Sequence, residues 1–332
     1  MIRFRLGVED LADTRFALSP INETLLSLRV LREPGLSALL LPWRRTALPA
    51  LGGIDTGLLL SLVSAHRALP DFLTPRPGSF APGFEEELDE VARTPADTVL
   101  RDLVAAHRPD PLPEPLRTAA AGGDAALLRL RGDLCDLLRR YWAAAIEPMW
   151  PQMRLVLEAD MTYRARRLAV GGARALFADI HPDLHWDDGV LRIDAVFGGY
   201  TTAAAGRGLL LMPSVFAHKP APPVLPEEPP ALVYPSRGTA TLWTPPPAPA
   251  AALVPLLGAP RARLLTLLGE PLPTVELARR LRVTPSAVSQ HLRVLHAAGL
   301  VARARDGRHV LYRRSPLGEE LTRTAGPPAP RT

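Results

Sequence analysis

A chain of 332 residues with a 47% hydrophobic share is long enough for two domains and a sizeable core. Its single cysteine, Cys135, excludes an internal disulfide and any cysteine-based zinc cluster, and no run of 18 apolar residues is present to cross a membrane as a helix. The net charge of +5 is unevenly divided: residues 256–332 carry 13 arginines and 5 acids, a net of +8, and the rest is mildly acidic, so a polyanion partner is expected at one end only.

In chain order, Ile2, Phe4 and Leu6 alternate with Arg3 and Arg5, which reads as a short strand. Arg3, Arg5, Glu9 and Asp10 interrupt any early apolar run, so no signal peptide is read and a cytoplasmic location is expected. Ser19-Pro20 reads as cap and first turn of a helix to about Arg32, with an apolar face of Leu25, Leu28, Val30 and Leu31. Residues 36–41 and 58–65 are further apolar helical pieces, broken by Trp43-Arg44-Arg45 and Gly52-Gly53. The proline- and glycine-rich stretch 72–82 reads as an ordered loop. An acidic helix follows at 84–92, then one capped by Thr94-Pro95 and running to about His107. The longest helical region is 124–145, with Leu127, Leu130, Leu134, Leu137, Leu138 and Tyr141 as its buried stripe and Cys135 as a small core residue. A helix over 151–170 carries Met153, Leu157, Met161 and Leu168, and 172–179 adds a last turn or two. Its Tyr163, Arg164, Arg166 and Arg167 read as a solvent face with surface ion pairs, or alternatively as the lining of an anion pocket.

At His181 the period changes. Residues 191–197 and 209–216 read as strands, the second buried on both faces, with a glycine- and alanine-rich loop at 198–208 between them. Residues 231–234 and 239–243 read as further strands of the same small sheet. His181, His185, Asp187 and Asp188 lie within eight residues and have ligand chemistry, but they precede Gly189 and read as a turn. No glycine loop follows a strand and opens a helix, Ser214 has no Gly-x-Ser-x-Gly setting, and no carboxylate pair stands out. No enzyme activity, cofactor or metal is therefore expected. Proline-rich runs at 219–230 and 245–255 flank the last strands, and the second suits an extended linker. The expected fold is mainly α with small β. Residues 1–244 form a helical sensor and dimerisation domain carrying a small antiparallel sheet, 245–258 a linker, 259–324 a winged helix-turn-helix, and 325–332 a disordered tail.

The remaining stretch, 274–315, holds the chain's clearest pattern. Val275, Leu277, Ala278 and Leu281 recur at helical spacing, Arg282-Val283 make a tight connection, and Thr284 sits at a cap position before Pro285. A second helix then runs to about Ala298, with Val288, Leu292 and Leu295 inward and Gly299 as its stop. Strands 300–305 and 309–314 flank Asp306-Gly307, read as a two-residue hairpin turn. Helix, helix and basic hairpin make a winged helix. Thr284, Ser286, Ser289, Gln290 and Arg293 are expected at bases and nearby phosphates, and Arg303, Arg305, Arg308 and Arg313 at the backbone or minor groove, with Arg314 exposed beside them.

The run TPSAVSQHLRVLHAAGLVARARDGRHVLYR resembles the winged helix of the ArsR-type (arsenical-resistance-repressor) regulators over about residues 259–321, most closely at Val288, Ser289, His291, Leu292, Leu295 and Gly299-Leu300-Val301. The resemblance implies a cytoplasmic homodimer that represses transcription from an operator in double-stranded DNA and lets go when an inducer binds. The Cys-x-Cys pair of metal-sensing members is missing, because the helix before the recognition helix reads ELARRL. FRLGVEDLADTRFALSP and RGLLLMPSVF resemble uncharacterised N-terminal domains found fused to ArsR-type winged helices in high-GC bacteria, which supports the regulator reading and supplies no ligand; a small-molecule effector in this domain is an expectation of the regulator reading alone. Two rivals are an enzyme, such as a small-molecule methyltransferase, whose winged helix only dimerises it, and a winged helix that binds protein.

Overall fold

The computed structural model describes residues 1–194, 198–243, 253–306 and 309–324. Helices dominate and strands are short, so the fold is mainly α with small β. Two compact units divide the chain, Met1–Leu242 and Trp243–Thr332.

The first unit is built on the helix Pro20–Arg32, whose residues are all buried except the last. Ser19 starts it: its Oγ accepts the Asn22 N–H at 3.2 Å, and Pro20 supplies the preset φ of the first turn. Burial on every side forces the polar side chains of this helix to find partners. The Thr24 hydroxyl donates to the Pro20 carbonyl at 2.8 Å, and the Ser27 hydroxyl shares a 2.7 Å bond with the Tyr141 hydroxyl of the long helix Gly123–Ala145. Glu23 accepts the Val215 N–H at 3.1 Å. Glu87, from the acidic helix Phe84–Ala92, accepts from Ser19 Oγ at 2.7 Å and from the Ile21 N–H at 2.9 Å. Burial pushes both carboxyls up to about 8. Cys135 is buried in the Gly123–Ala145 helix, and burial raises its thiol.

Several expectations change here. Trp43-Arg44-Arg45 lies inside the helix Leu41–Ala50 rather than breaking it, because the Trp43 ring is buried and its Nε1 donates to the Ala145 carbonyl at 2.9 Å. Thr94 does not cap the next helix, which starts after Pro95 at Ala96. The proline-rich connection beyond it contains a further helix, Glu114–Ala121, whose Leu116 is buried. Residues 239–242 form a 3-10 turn, not a strand.

The helix Trp150–Phe177 bends at Gly171 and Gly172, the latter at φ 63, so that its last turns fold back against its middle. This overturns the reading of Arg164 as a solvent-face residue. It is fully buried, and its guanidinium pairs with Asp179 beyond the bend and lies 3.7 Å from Asp160 one turn before it. Asp160 also accepts from the Tyr234 hydroxyl at 2.8 Å and the Arg237 N–H at 3.1 Å. The Tyr163 hydroxyl donates to Asp179 at 2.6 Å, with the Arg237 guanidinium stacked 3.9 Å above its ring.

The antiparallel sheet is present as Leu184–Asp187, Val190–Ile193 and Ile2–Arg5, with Thr201–Ala203 added in parallel to the last. The strand Leu184–Asp187 holds His185 and Asp187, and the turn is confined to Asp188 and Gly189, both at positive φ. His185 pairs with Asp194 at 3.3 Å, and His181 Nδ1 accepts the Asp183 N–H at 3.1 Å. A second sheet, parallel throughout, sets Leu210–Ser214 between Arg15–Phe16 and Ala231–Pro235. All five residues of the central strand are buried, as its continuous apolar run requires. The expected strand residues 195–197, the linker at 245–252 and the tail lie outside the described residues. The helix Leu253–Leu257 occupies the end of the stretch read as linker.

Candidate nucleic-acid interface

The second unit closes a small core around Leu264, Leu265, Leu277, Val288, Leu292 and Leu295. The helix Thr274–Leu281 ends in Arg282, whose left-handed backbone (φ 55, ψ 45) turns the chain. Val283 N–H bonds to the Ala278 carbonyl at 3.0 Å and Arg282 N–H to that of Arg279 at 3.1 Å, so the helix end is satisfied within the turn. Thr284 Oγ1 then accepts the Ala287 N–H at 3.3 Å and Pro285 opens the helix Pro285–Ala297. That helix stops as its glycine requires. Gly299 lies at φ 71, Leu300 N–H bonds to the Leu295 carbonyl at 2.9 Å, and Gly299 N–H bonds to that of His296 at 3.0 Å.

The consequence is a helix with two unlike faces. Val288, Leu292 and Leu295 are buried at spacings of four and three. Ser286, Gln290 and Arg293 repeat the same spacing on the opposite face and are exposed, as is Thr284 at the start. Ser289 is half-buried at the edge between the faces. Gln290 can donate to and accept from one adenine edge, and Arg293 can donate twice to guanine. Arginines nearby are kept from that face: Glu276, itself buried, binds Arg279 at 2.8 Å and Arg280 at 2.6 Å.

The hairpin Val301–Asp306 and His309–Arg314 pairs antiparallel, with Leu272–Pro273 on its far side. Asp306 pairs with His309, so it belongs to the strand and not to the turn, and the connecting residues 307 and 308 lie outside the described residues. Arg308, expected at the backbone, is one of them. Arg303 faces across to Tyr312 and Arg305 to Val310, so both share the sheet face that buries Val301 in the core. Both are exposed. Arg313 pairs with Ala302 and therefore points from the reverse face. Arg314 corrects the expectation of an exposed cation: it is only 18% exposed, donates to Thr322 Oγ1 at 2.7 Å and lies 3.2 Å from Glu319. Its role is to hold the helix Pro316–Thr324 to the hairpin. Arg282 is an exposed cation beside the cap, and the sequence pattern marks it only as a turn residue.

A family model described as a helix-turn-helix domain matches residues 261–304. The span takes in both helices and the first four residues of the hairpin's first strand, including Thr284, Ser286, Ser289, Gln290, Arg293 and Arg303. This chain thus carries a helix-turn-helix domain, which supports a role in DNA-binding regulation. No curated protein and no solved structure matches the chain. No helix among the described residues is long and apolar enough to cross a membrane.

Proposed function

We propose that the chain is a sequence-specific transcriptional regulator of the ArsR type, a cytoplasmic homodimer that represses its target until a small effector binds the N-terminal unit. The observation that carries this reading is the helix Pro285–Ala297, with Ser286, Gln290 and Arg293 exposed along one side and Val288, Leu292 and Leu295 locked in the core along the other. A rigid helix presenting hydrogen-bonding groups at one spacing is what the major groove accepts. Arg303 and Arg305 add phosphate contacts from the same side of the hairpin, and pairing of two copies sets two such helices one helical turn apart on DNA. Ser289 and Thr284 complete the contact set at the helix edge and start. The chain acts by binding rather than by catalysis, and it needs no metal, since the cysteine pair of metal-sensing relatives has no counterpart here.

The test is fluorescence anisotropy of the full chain on DNA from its own upstream region and on scrambled DNA across a salt series. Tight binding to the first over a weaker, steeply salt-dependent background is the expected result. A failure to bind any DNA at low salt would sink the regulator reading and favour a protein-binding winged helix.

A further inference from the structure

Within the first unit a cavity of about 140 Å³ opens beside the end of the helix Pro20–Arg32. That is room for on the order of five water molecules, or for an organic group about the size of a benzene ring, with the remainder of a longer ligand at the cavity mouth. One wall is this helix, with Leu26 and Arg29; another is the turn 66–76; a third is the segment 218–224, ending against strand Ala231–Pro235.

The walls are built rigidly. Pro220, Pro222 and Pro223 stiffen the segment 218–224, and Ala221 bridges to Val233 with bonds of 2.8 and 3.0 Å. Asp71 anchors the segment's far end, accepting the Val224 and Leu225 N–H groups at 2.9 Å each. Arg67 holds a left-handed backbone (φ 64) in the turn and is tied to Glu33 at 2.9 Å.

Arg29 is the anomaly. It is 9% exposed, and among the described residues its guanidinium makes no hydrogen bond and no ion pair; its Nε is wholly buried without a partner. Every other buried polar side chain of this helix named above is satisfied. A buried, uncompensated guanidinium costs several kcal/mol by common experience, so it persists where something else supplies the anion. The surroundings do not supply it. Burial, and after it the Arg67 charge, lowers the Arg29 guanidinium to about 10. Asp71 and Glu33 are committed to the contacts just described. Glu228 lines the cavity but forms no ion pair with Arg29. Arg76, Lys219 and His218 also line it, and His218 Nδ1 is a second buried polar atom with no partner. Burial, then Arg29, Lys219 and Arg67, push that imidazole down to about 4, so it is neutral near pH 7. Asn22, His66 and Thr74 add polar lining, and the rest is apolar, chiefly Ile2, Leu26, Leu69, Met212 and Val224. A cationic end joined to an apolar, proline-walled body suits neither a bare inorganic anion nor a neutral hydrocarbon.

We propose that this cavity is a binding site for a small organic carboxylate, its carboxylate seated on Arg29 beside His218 and its apolar body lying against Leu26, Met212 and the prolines of the segment 218–224. Its use as the effector site rests on the regulator reading above; its occupancy by a carboxylate does not.

The test is thermal melting of the full chain without DNA, in the presence of benzoate, octanoate, 4-phenylbutyrate, the neutral alcohol 4-phenyl-1-butanol, or inorganic phosphate. At least one carboxylate raises Tm by on the order of 3 °C once in tenfold excess over its Kd, and the alcohol and phosphate do not. Arg29→Met loses the shift, while its ligand-free Tm equals or exceeds that of the native chain, since the substitution removes a buried unpaired charge; a merely structural arginine would lower it. Arg29→Lys, which keeps the charge but not the fork, retains part of the shift. No shift with any of the three carboxylates, an equal shift with the alcohol or with phosphate, or a shift that survives in Arg29→Met overturns the proposal. A chain that binds no DNA yet melts higher with a carboxylate upholds the site and removes only its regulatory role.

Discussion

The two units of this chain handle charge in opposite ways. The Trp243–Thr332 unit keeps cations outside: Arg293, Arg303 and Arg305 are exposed on a compact apolar core, and Glu276, the one buried acid among its described residues, is neutralised by two arginines of its own helix. The Met1–Leu242 unit takes ionisable groups inside, burying Glu23, Glu87, Asp102, Asp160, Arg29 and Arg164. The difference fits what each is proposed to meet. A polyanion the size of a duplex is gripped from the surface and needs no cavity, whereas an interior charge must be answered atom by atom. Within the first unit the contrast sharpens to one pair: Arg164 is answered by two aspartates, and Arg29 by none.

The largest effect is expected where an answered charge loses its partner. Asp160→Ala leaves Arg164 and the Tyr234 hydroxyl short of an acceptor in a buried site, and should cost about 3–5 kcal/mol in the urea transition of the first unit. A loss under about 1 kcal/mol would mean that the interior network is not what holds the bent helix to the sheet.

On the surface of the second unit the same arithmetic should vanish from stability and appear in binding. Arg293→Ala should reduce discrimination between operator and scrambled DNA by about 1–3 kcal/mol, with stability within about 0.5 kcal/mol of the native chain. Arg303→Ala should weaken binding to all sequences and flatten the salt slope by about one unit. Arg313→Ala should change either less than Arg303→Ala does, because Arg313 lies on the reverse face of the hairpin. Equal losses from Arg303 and Arg313 in anisotropy titrations would show that the sheet face does not decide which arginines reach DNA.

Buried acids also give the first unit a pH signature. Burial pushes Glu23 and Glu87 up to about 8 and Asp71 to about 7. In the unfolded chain these groups give up their protons near their ordinary values of 4.5 and 3.8. Over that window the folded state binds more protons, so its stability is greatest at low pH and is lost as pH rises through the folded values. His218 acts in the opposite sense, but only between about 4 and its ordinary 6.5. Above 6.5 the decline is unopposed, and Tm of the first unit should fall between that pH and about 8.5. Glu23→Gln should shallow the slope. A flat or rising Tm over this range would mean these carboxyls are charged in the fold.

The smallest effect is expected in the helix-turn-helix itself. Arg282 sits in the left-handed region at no evident benefit to packing, so Arg282→Gly should stabilise the second unit by up to about 1 kcal/mol in its thermal transition.

Local chemistry was written plainly in the sequence. Ser19-Pro20, Thr284-Pro285 and Gly299 act within three or four residues of themselves, and each starts or ends its helix where its side chain, or lack of one, requires. The spacing of Val288, Leu292 and Leu295 likewise settles which face of the helix Pro285–Ala297 turns outward, since helical period alone sets that angle. Strand residues of unremarkable composition are harder: His185 and Asp187 read as part of a turn, although they pair with Arg192 and Val190 of the next strand, and Thr201–Ala203 reads as a loop because it gains its bonds from residues 3–5 at the far end of the unit's sequence. Tertiary structure alone decided the rest. Arg164 and Arg314 are ordinary cations in sequence, and only a fold-back at Gly171-Gly172 or a docked final helix makes them internal ties. Arg29 lies in a helix that sequence marks as half apolar, and nothing local says that every side of it is covered or that no acid reaches its guanidinium. Caps and periodicities are properties of contiguous residues, while burial and the pairing of charge depend on which segments pack together, near or far along the chain, and those are set only when the chain has closed on itself.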